Sequence, residues 1–322
     1  MNQKALVTGV PGWLGTRLVE RLVQQGRSVT CFVHPLVDPS PLPSGVTVAH
    51  GDVRDQKAVS DAAAGVTTIF HLAAVIHPKW TRDFDQINAI GTRNVLEAAA
   101  TAGVKRVIFA SSNAVQGSLR SGLMDETGQC HPESAYGRSK MIAEQIIKEF
   151  DQKISVAIIR SPMFYGPGQP ARMTRLMRMI RNGRVPLFGS GDNLRSMSYI
   201  ENLVDAMLLA EQSPKAAGEV YWISDEQPYT TIEFMQAIAG ALGVPLKLIR
   251  LPGLMARGSE LADKVLEMCG YHSENIHVVG ESTKWIACSI NKAKKELGYS
   301  PTISLQQGLQ NAVAWCRERH LL

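Results

Sequence analysis

The sequence predicts an α/β protein: a doubly wound parallel sheet that carries a smaller, mainly helical second domain. Three observations lead there. Short, almost wholly apolar runs such as Ala5-Leu6-Val7 and Val156-Ala157-Ile158-Ile159 recur through the first half, as strands buried on both faces require. Between them lie stretches with apolar residues at helical spacing, the first through Leu14, Leu18, Leu22 and Val23. After Pro162 that rhythm stops, and Gly and Pro cluster over Tyr165–Pro170 and again at Gly189-Ser190-Gly191.

The elements follow in order. The helix after the first strand ends at Gly26, and Val29–Val33 and Val46–Val48 read as the next strands. A helix over about Asp55–Ala63 precedes the strand Thr68–Phe70. A long helix over about Phe84–Ala102, closed by Gly103, leads to Val107–Phe109, and one over about Ser134–Phe150 leads to Val156–Ile159. Six strand–helix units make a doubly wound sheet. Beyond it, helical patterns recur at about Arg172–Arg181, Ile200–Glu211, Thr231–Leu242 and Leu305–Arg319. The expected division gives residues 1–162 and about 196–226 to the sheet domain. The second domain takes about 163–195 and 227–322. The Pro-rich piece Pro35–Pro43 reads as a surface loop.

Composition bounds the function without naming it. The chain has 322 residues, 45% of them hydrophobic and 20% charged, which fits a globular protein with a full core. No apolar run approaches the ~18 residues of a membrane span. The opening Met1-Asn2-Gln3-Lys4 runs straight into a strand without a signal-peptide pattern, so a cytoplasmic protein is expected. Five scattered cysteines, never paired as CxxC, argue against a disulfide framework and against a metal site. The net charge of +5 is a solvated surface, and no nucleic-acid or membrane partner is expected.

Chemistry first enters at Thr8-Gly9-Val10-Pro11-Gly12-Trp13-Leu14-Gly15, a GxxGxxG turn between the first strand and the first helix. In that position such a turn is a dinucleotide-binding signal. Gly9 permits the tight turn, Gly12 lets backbone amides approach a pyrophosphate, and Gly15 lets helix and sheet pack closely. An NAD site would place an acid at the end of the second strand. Here that place holds Val33-His34-Pro35, with the next acid, Asp38, beyond the proline. NADP(H) is therefore favoured and NAD(H) stays possible. His34 is either a hydrogen-bond partner for a 2′-phosphate or a loop histidine at the surface.

Tyr136 and Lys140 stand four apart on a predicted helix and so share a face. Upstream, Ser111-Ser112-Asn113 ends the fifth strand at the sheet edge where ligands bind in this architecture. A free phenol, with a pKa of ~10, is a poor base at neutral pH. A nearby ammonium and an oxidised nicotinamide would stabilise its phenolate. Tyr136 could then exchange a proton with a substrate oxygen, with Lys140 tuning it and Ser112 holding that oxygen.

Taken together, Gly9, Gly12, Gly15, Ser112, Tyr136 and Lys140 resemble the extended short-chain dehydrogenase/reductase family, over essentially the whole chain. Gly51-Asp52-Val53, His71-Leu72-Ala73-Ala74, Asn88-Ala89-Ile90-Gly91-Thr92, Arg160 with Tyr165-Gly166-Pro167, and Tyr199-Ile200-Glu201-Asn202 agree with it. The resemblance implies a Rossmann fold and an oxidoreductase with catalytic Ser112, Tyr136 and Lys140. It implies a cofactor lined by Pro11, Trp13, Leu14, His34, Asp52, Val53, Leu72, Ala73, Ala74, Ser111, Pro162 and Met163. His71 and Asn88 read as structural. A homodimer through helices 84–102 and 134–150 is implied by the resemblance alone.

Within the family, dehydratases carry Asp-Glu just after the catalytic Ser/Thr, where this chain has Asn113-Ala114. Many nucleotide-sugar epimerases carry Asn at the place of Met163. Arg195 matches an arginine that those epimerases often present to a pyrophosphate, or it is a surface residue. Ser111–Val115 and the stretches near Glu201 and Asp225 resemble the 3β-hydroxysteroid dehydrogenase branch, whose substrates are apolar. The expected substrate is thus a fairly apolar, sterol-like or β-keto acid-like small molecule, with Asn113, His77 and Arg195 as candidate contacts. A nucleotide-sugar epimerase is the alternative, and a non-catalytic NADP-binding regulator is disfavoured because all three catalytic residue types are present. The stripe Leu251, Leu254, Met255, Leu261, Val265, Leu266 and Met268 reads as helix core sooner than as a substrate wall. Arg172, Arg175, Arg178 and Arg181 read as a solvated helix face.

Overall fold

The apolar runs do become strands. In the computed structural model, which describes residues 4–322, they are β1 (Lys4–Val10), β2 (Ser28–Val33), β3 (Thr47–His50), β4 (Thr68–His71), β5 (Arg106–Ser112) and β6 (Ser155–Ser161). A seventh, β7 (Val220–Trp222), pairs with β6. All pairs in this sheet are parallel, in the order β7-β6-β5-β4-β1-β2-β3. The order reverses beside β1, which opens a crevice at the carboxyl edge there.

Alternation along each strand divides two buried layers. Ala5, Val7, Cys31 and Ile159 pack on one side with Leu18 and Leu22 of α1 (Trp13–Gln24) and Leu203 of the helix Ile200–Gln212. Leu6, Ile69, Phe109 and Ile158 pack on the other side. There they meet α2 (Gln56–Ala63), α3 (Gly91–Ala102) and α4 (Ala135–Lys148) through Val59, Leu96 and Ile147. Helices on both faces make the sheet doubly wound, as expected.

A third cluster lies outside the sheet. Met173, Met177 and Ile180 of the helix Ala171–Arg181 meet Phe234 and Ile238 of Thr231–Leu242 and Leu309 and Val313 of Leu305–Glu318. Tyr165 and Tyr199 fill its centre beneath Gly308, where a Cβ would come within 2.6 Å of the Tyr199 ring.

Three expectations need correction. The strand Val220–Trp222 has no counterpart in the sequence pattern, so among the described residues the sheet has seven strands where six are expected. The long helix over 84–102 is segmented: a turn at Arg82–Phe84, a π-helix at Asp85–Ile90, then α3. Within that wide turn, the Asn88 amide exchanges hydrogen bonds with the Val75 backbone and donates to Ser139, which fixes Asn88 across two elements. Finally, the apolar stripe is not core. Most of it lies on α5 (Gly253–Met268), whose buried positions are Ala256 and Asp263. Leu254, Met255, Leu261, Val265 and Met268 are more than half exposed. The inward face of α5 packs on the helix α6 (Glu274–Glu281), so these apolar residues point away. The basic helix face is largely outward, as expected: Arg175, Arg178 and Arg181 are exposed, while Arg172 is half-buried.

Candidate active site

The crevice is built from the glycine turn upward. Gly9 has φ +77°, and a Cβ there would stand 2.5 Å from the Leu72 carbonyl carbon. Cβ atoms at Gly12 and Gly15 would reach 2.7 and 2.6 Å from the Gly9 carbonyl oxygen. The three glycines therefore hold the chain where any side chain would fill the cradle. Gly12 caps α1 without a side chain, so the first amides of the helix stay open to the crevice and carry the positive end of its dipole. That combination fits a pyrophosphate. Trp13 donates to the Pro167 carbonyl at 2.7 Å and lies 4.9 Å from the Phe164 ring, tying the turn to the segment that follows β6.

At the end of β2, His34 Nε2 sits 3.3 Å from the Asp52 carboxylate. Arg54 also binds Asp52, donating from Nε at 3.0 Å and from Nη2 at 2.6 Å. The Arg54 hydrogen bonds hold the Asp52 carboxyl below its ordinary range, with burial opposing. Sequence reasoning brings His34 and Asp52 forward and misses Arg54, whose place in Gly51-Asp52-Val53-Arg54 is the available signal. Val53 lies beneath this cluster, 7% exposed, against Gly91.

Next along the edge, Thr8 and His71 are neighbours in register. Thr92 gives its hydroxyl proton to the Asn88 carbonyl at 2.6 Å, so His71 Nε2 donates to Thr92 and His71 Nδ1 accepts from Thr8. Thr8 in turn accepts from the amides of Leu72 and Ala73. Burial, with Lys140 nearby, pushes His71 down to about 3. His71 is a neutral spacer that shapes the Leu72-Ala73-Ala74 wall, in line with its structural reading.

The catalytic candidates do converge. Ser134 caps α4 by accepting from the Gly137 amide, which places Tyr136 and Lys140 one turn apart on the face toward β5. The Tyr136 phenol lies beside the Ser112 hydroxyl. Burial pushes the phenol up to about 12, and the Ser112 hydroxyl opposes that rise. Lys140 is 2% exposed, donates to the Ala110 carbonyl at 2.6 Å, and sits 4.0 Å from the Phe109 ring centroid. Burial pushes Lys140 down to about 7, with Glu144 opposing.

Several sequence candidates behave differently. The Ser111 hydroxyl donates to Glu144, which forms a buried pair with Arg160 at 2.6 Å, so Ser111 has no hydroxyl proton left for a ligand. Asn113 accepts weakly from the candidate Ser112 at 3.4 Å. Pro162 and Met163 follow β6, and the Met163 sulfur lies 3.7 Å from the Arg172 guanidinium. Arg195 donates to the Glu281 carbonyl at 2.7 Å, so part of its fork is already held within the chain. His77 joins His272 through an N–H···N bond of 3.0 Å with ring planes 12° apart. One proton bridges the two facing nitrogens. No grouping of three metal-type side chains exists among the described residues. His272 also packs edge-on to Phe84, which neighbours the Tyr136 ring at 6.0 Å.

Residues 5–224 match the NAD dependent epimerase/dehydratase family. The chain belongs to that family. A 2-alkyl-3-oxoalkanoate reductase of Stenotrophomonas maltophilia is 31% identical, over 97% of this chain and 98% of the relative. A UDP-glucose 4-epimerase of Vibrio cholerae is also 31% identical, over 96% and 94%. The solved structure of MoeE5 in complex with UDP-glucuronic acid and NAD superimposes with a TM-score of 0.79 at 25% identity, covering 98% of this chain and 99% of that one. Relatives thus include reductases and epimerases, and the chain is an enzyme of the extended short-chain dehydrogenase/reductase type. Among the described residues, no helix is long and apolar enough to cross a membrane.

Proposed function

We propose that this enzyme interconverts a secondary alcohol and a ketone on a fairly apolar, sterol-like or β-keto acid-like substrate. The observation that carries this reading is the meeting of Tyr136 and Ser112 at the sheet edge, with Lys140 buried one helical turn away and donating to the Ala110 carbonyl. The bound nicotinamide would supply or accept the hydride. In the reducing direction, Ser112 and Tyr136 hold the carbonyl oxygen, and the phenol of Tyr136 gives it a proton. With its pKa pushed up, Tyr136 is protonated at neutral pH, which is the form reduction needs. In the oxidising direction the phenolate must form, and the positive charge of Lys140 is what favours it.

The pyrophosphate would lie on the amides of Trp13 and Leu14, and the adenosine toward Asp52 and Val53. NADP(H) is favoured. His34 at the end of β2, where an NAD site would set an acid, and Arg54 after β3 offer a hydrogen-bonding ring and a guanidinium on either side of Asp52. The division near residue 162 would then set cofactor on one side and substrate on the other. Met163, beside Arg172, gives the substrate side a thioether where a sugar nucleotide would meet an amide. A homodimer through the helices about 84–102 and 134–150 is in keeping with the exposed Ile90 and Ile142 there. The test is Tyr136→Phe, which should lower turnover of a 2-alkyl-3-oxoalkanoate and a 3β-hydroxysteroid by about 10²–10⁴-fold and still bind NADPH. Turnover at the wild-type rate would refute the assignment.

A second reading, a nucleotide-sugar epimerase with tightly held NAD, is favoured by Arg195 and by the UDP-glucose 4-epimerase likeness. It predicts that a UDP-sugar raises Tm and that the isolated protein already carries cofactor absorbance.

A further inference from the structure

The helix that carries Tyr136 begins at an amide that nothing on its own element satisfies. Ser134 takes the Gly137 amide. The Ala135 amide instead donates to both carboxylate oxygens of Glu267, at 3.0 and 2.9 Å. Glu267 belongs to α5, 132 residues further along the chain, and its side chain is only 6% exposed. Arg138, on the next turn of α4, donates to the same carboxylate at 3.1 Å. One buried carboxylate therefore grips the residues on either side of Tyr136.

The element behind Glu267 is itself fastened to the crevice. The Thr81 amide donates to the Gly270 carbonyl, and the His272 amide donates to the Lys79 carbonyl. Trp80 and Tyr271 pack with ring centroids 4.7 Å apart, and His77 bonds His272. On the inner side, Asp263 accepts from His277 at 2.7 Å and locks α5 to α6. These contacts set the height of Glu267 above α4 from two directions.

We infer that Glu267 is a positioning residue for Tyr136: by accepting from Ala135 and Arg138, it fixes the phenol against Ser112. A carboxylate at a helix N-terminus is favoured electrostatically, and the chelating geometry adds orientation. A misplacement of about 1 Å at a reacting group lowers a rate by as much as ~10²-fold. The inference rests on Tyr136 acting as the proton donor.

The experiment follows single-turnover hydride transfer from NADPH to the better of a 2-alkyl-3-oxoalkanoate and a 3-ketosteroid, in Glu267→Ala, Glu267→Gln, Tyr136→Phe and the double variant Glu267→Ala/Tyr136→Phe. Glu267→Ala should lower the rate about tenfold while the NADPH Kd stays within about twofold. Glu267→Gln, which keeps an acceptor oxygen, should recover to within about threefold of wild type. In the Tyr136→Phe background, Glu267→Ala should change the residual rate by less than about twofold, because its effect passes through the phenol. Amide exchange of the segment 134–140, which needs no substrate, should quicken in Glu267→Ala and not in Glu267→Gln. An undiminished rate in Glu267→Ala overturns the inference. So does a tenfold loss that persists when the double variant is compared with Tyr136→Phe alone. A fully active Tyr136→Phe overturns instead the catalytic reading beneath it.

Discussion

The two halves of the crevice hold their functional groups by different means. On the side proposed for the cofactor, position comes from backbone: three glycines whose Cβ atoms would strike carbonyl groups within 2.7 Å, and a helix start without a side-chain cap. On the side proposed for the substrate, position comes from side chains that reach across long sequence distances, such as Glu267 to Ala135 and His272 to His77. Backbone geometry tolerates almost no substitution, because the fault lies in space and φ. Side-chain geometry tolerates the conservative replacement that keeps the bond.

The largest expected effect therefore belongs to the glycine turn. Gly9→Ala must adopt φ +77° and meet the Leu72 carbonyl carbon at 2.5 Å, so NADPH binding should be lost in a fluorescence titration. Retention of wild-type affinity would break the contrast between the halves.

Lys140 comes next. Its folded pKa, about 7, lies well below the ordinary lysine value because burial penalises the ammonium. Between about 7 and the ordinary value near ~10.4, the unfolded chain binds more protons, so this group adds stability as pH rises and withdraws it as pH falls through 7. Lys140→Met removes the buried charge. It should raise the Tm of the cofactor-free protein more at pH 6 than at pH 9, and abolish turnover. A larger gain at pH 9 would contradict the burial argument.

A smaller effect is expected at the ribose end. Arg54→Glu, with His34→Ala, should shift the ratio of NADPH to NADH affinity toward NADH by about tenfold, equivalent to ~1.4 kcal/mol. An unchanged ratio would remove Arg54 and His34 from cofactor choice.

The smallest effect tests the exposed stripe of α5. Met268→Gln and Leu261→Gln, at 88% and 66% exposure, should move stability by no more than about 0.5 kcal/mol. Ala256→Leu, fully buried on the opposite face, should destabilise by about 1–3 kcal/mol through overpacking. Equal effects on both faces would mean that the stripe is packed after all.

What the sequence made legible divides along the same line. The first six strands were readable because each is a run of apolar residues between helices, and the glycine turn because its spacing and place are local facts. Ser112, Tyr136 and Lys140 were readable because helix periodicity and the strand end bring them together. Val220–Trp222 escaped because three residues, two of them aromatic, carry too little periodicity to mark a strand. The stripe on α5 has helical spacing, which reveals one face without saying whether that face looks inward; the buried positions are Ala256 and Asp263. Glu267 was invisible for a different reason. Its whole significance is a contact 132 residues away, and a lone glutamate in a helix carries no mark of it.

In the proposed reaction Tyr136, held beside Ser112, moves the proton. Single-turnover hydride transfer with Tyr136→Phe, beside NADPH binding in the same sample, tests it most directly. The rate should fall by about 10²–10⁴-fold with NADPH affinity unchanged. A wild-type rate in that variant would contradict it.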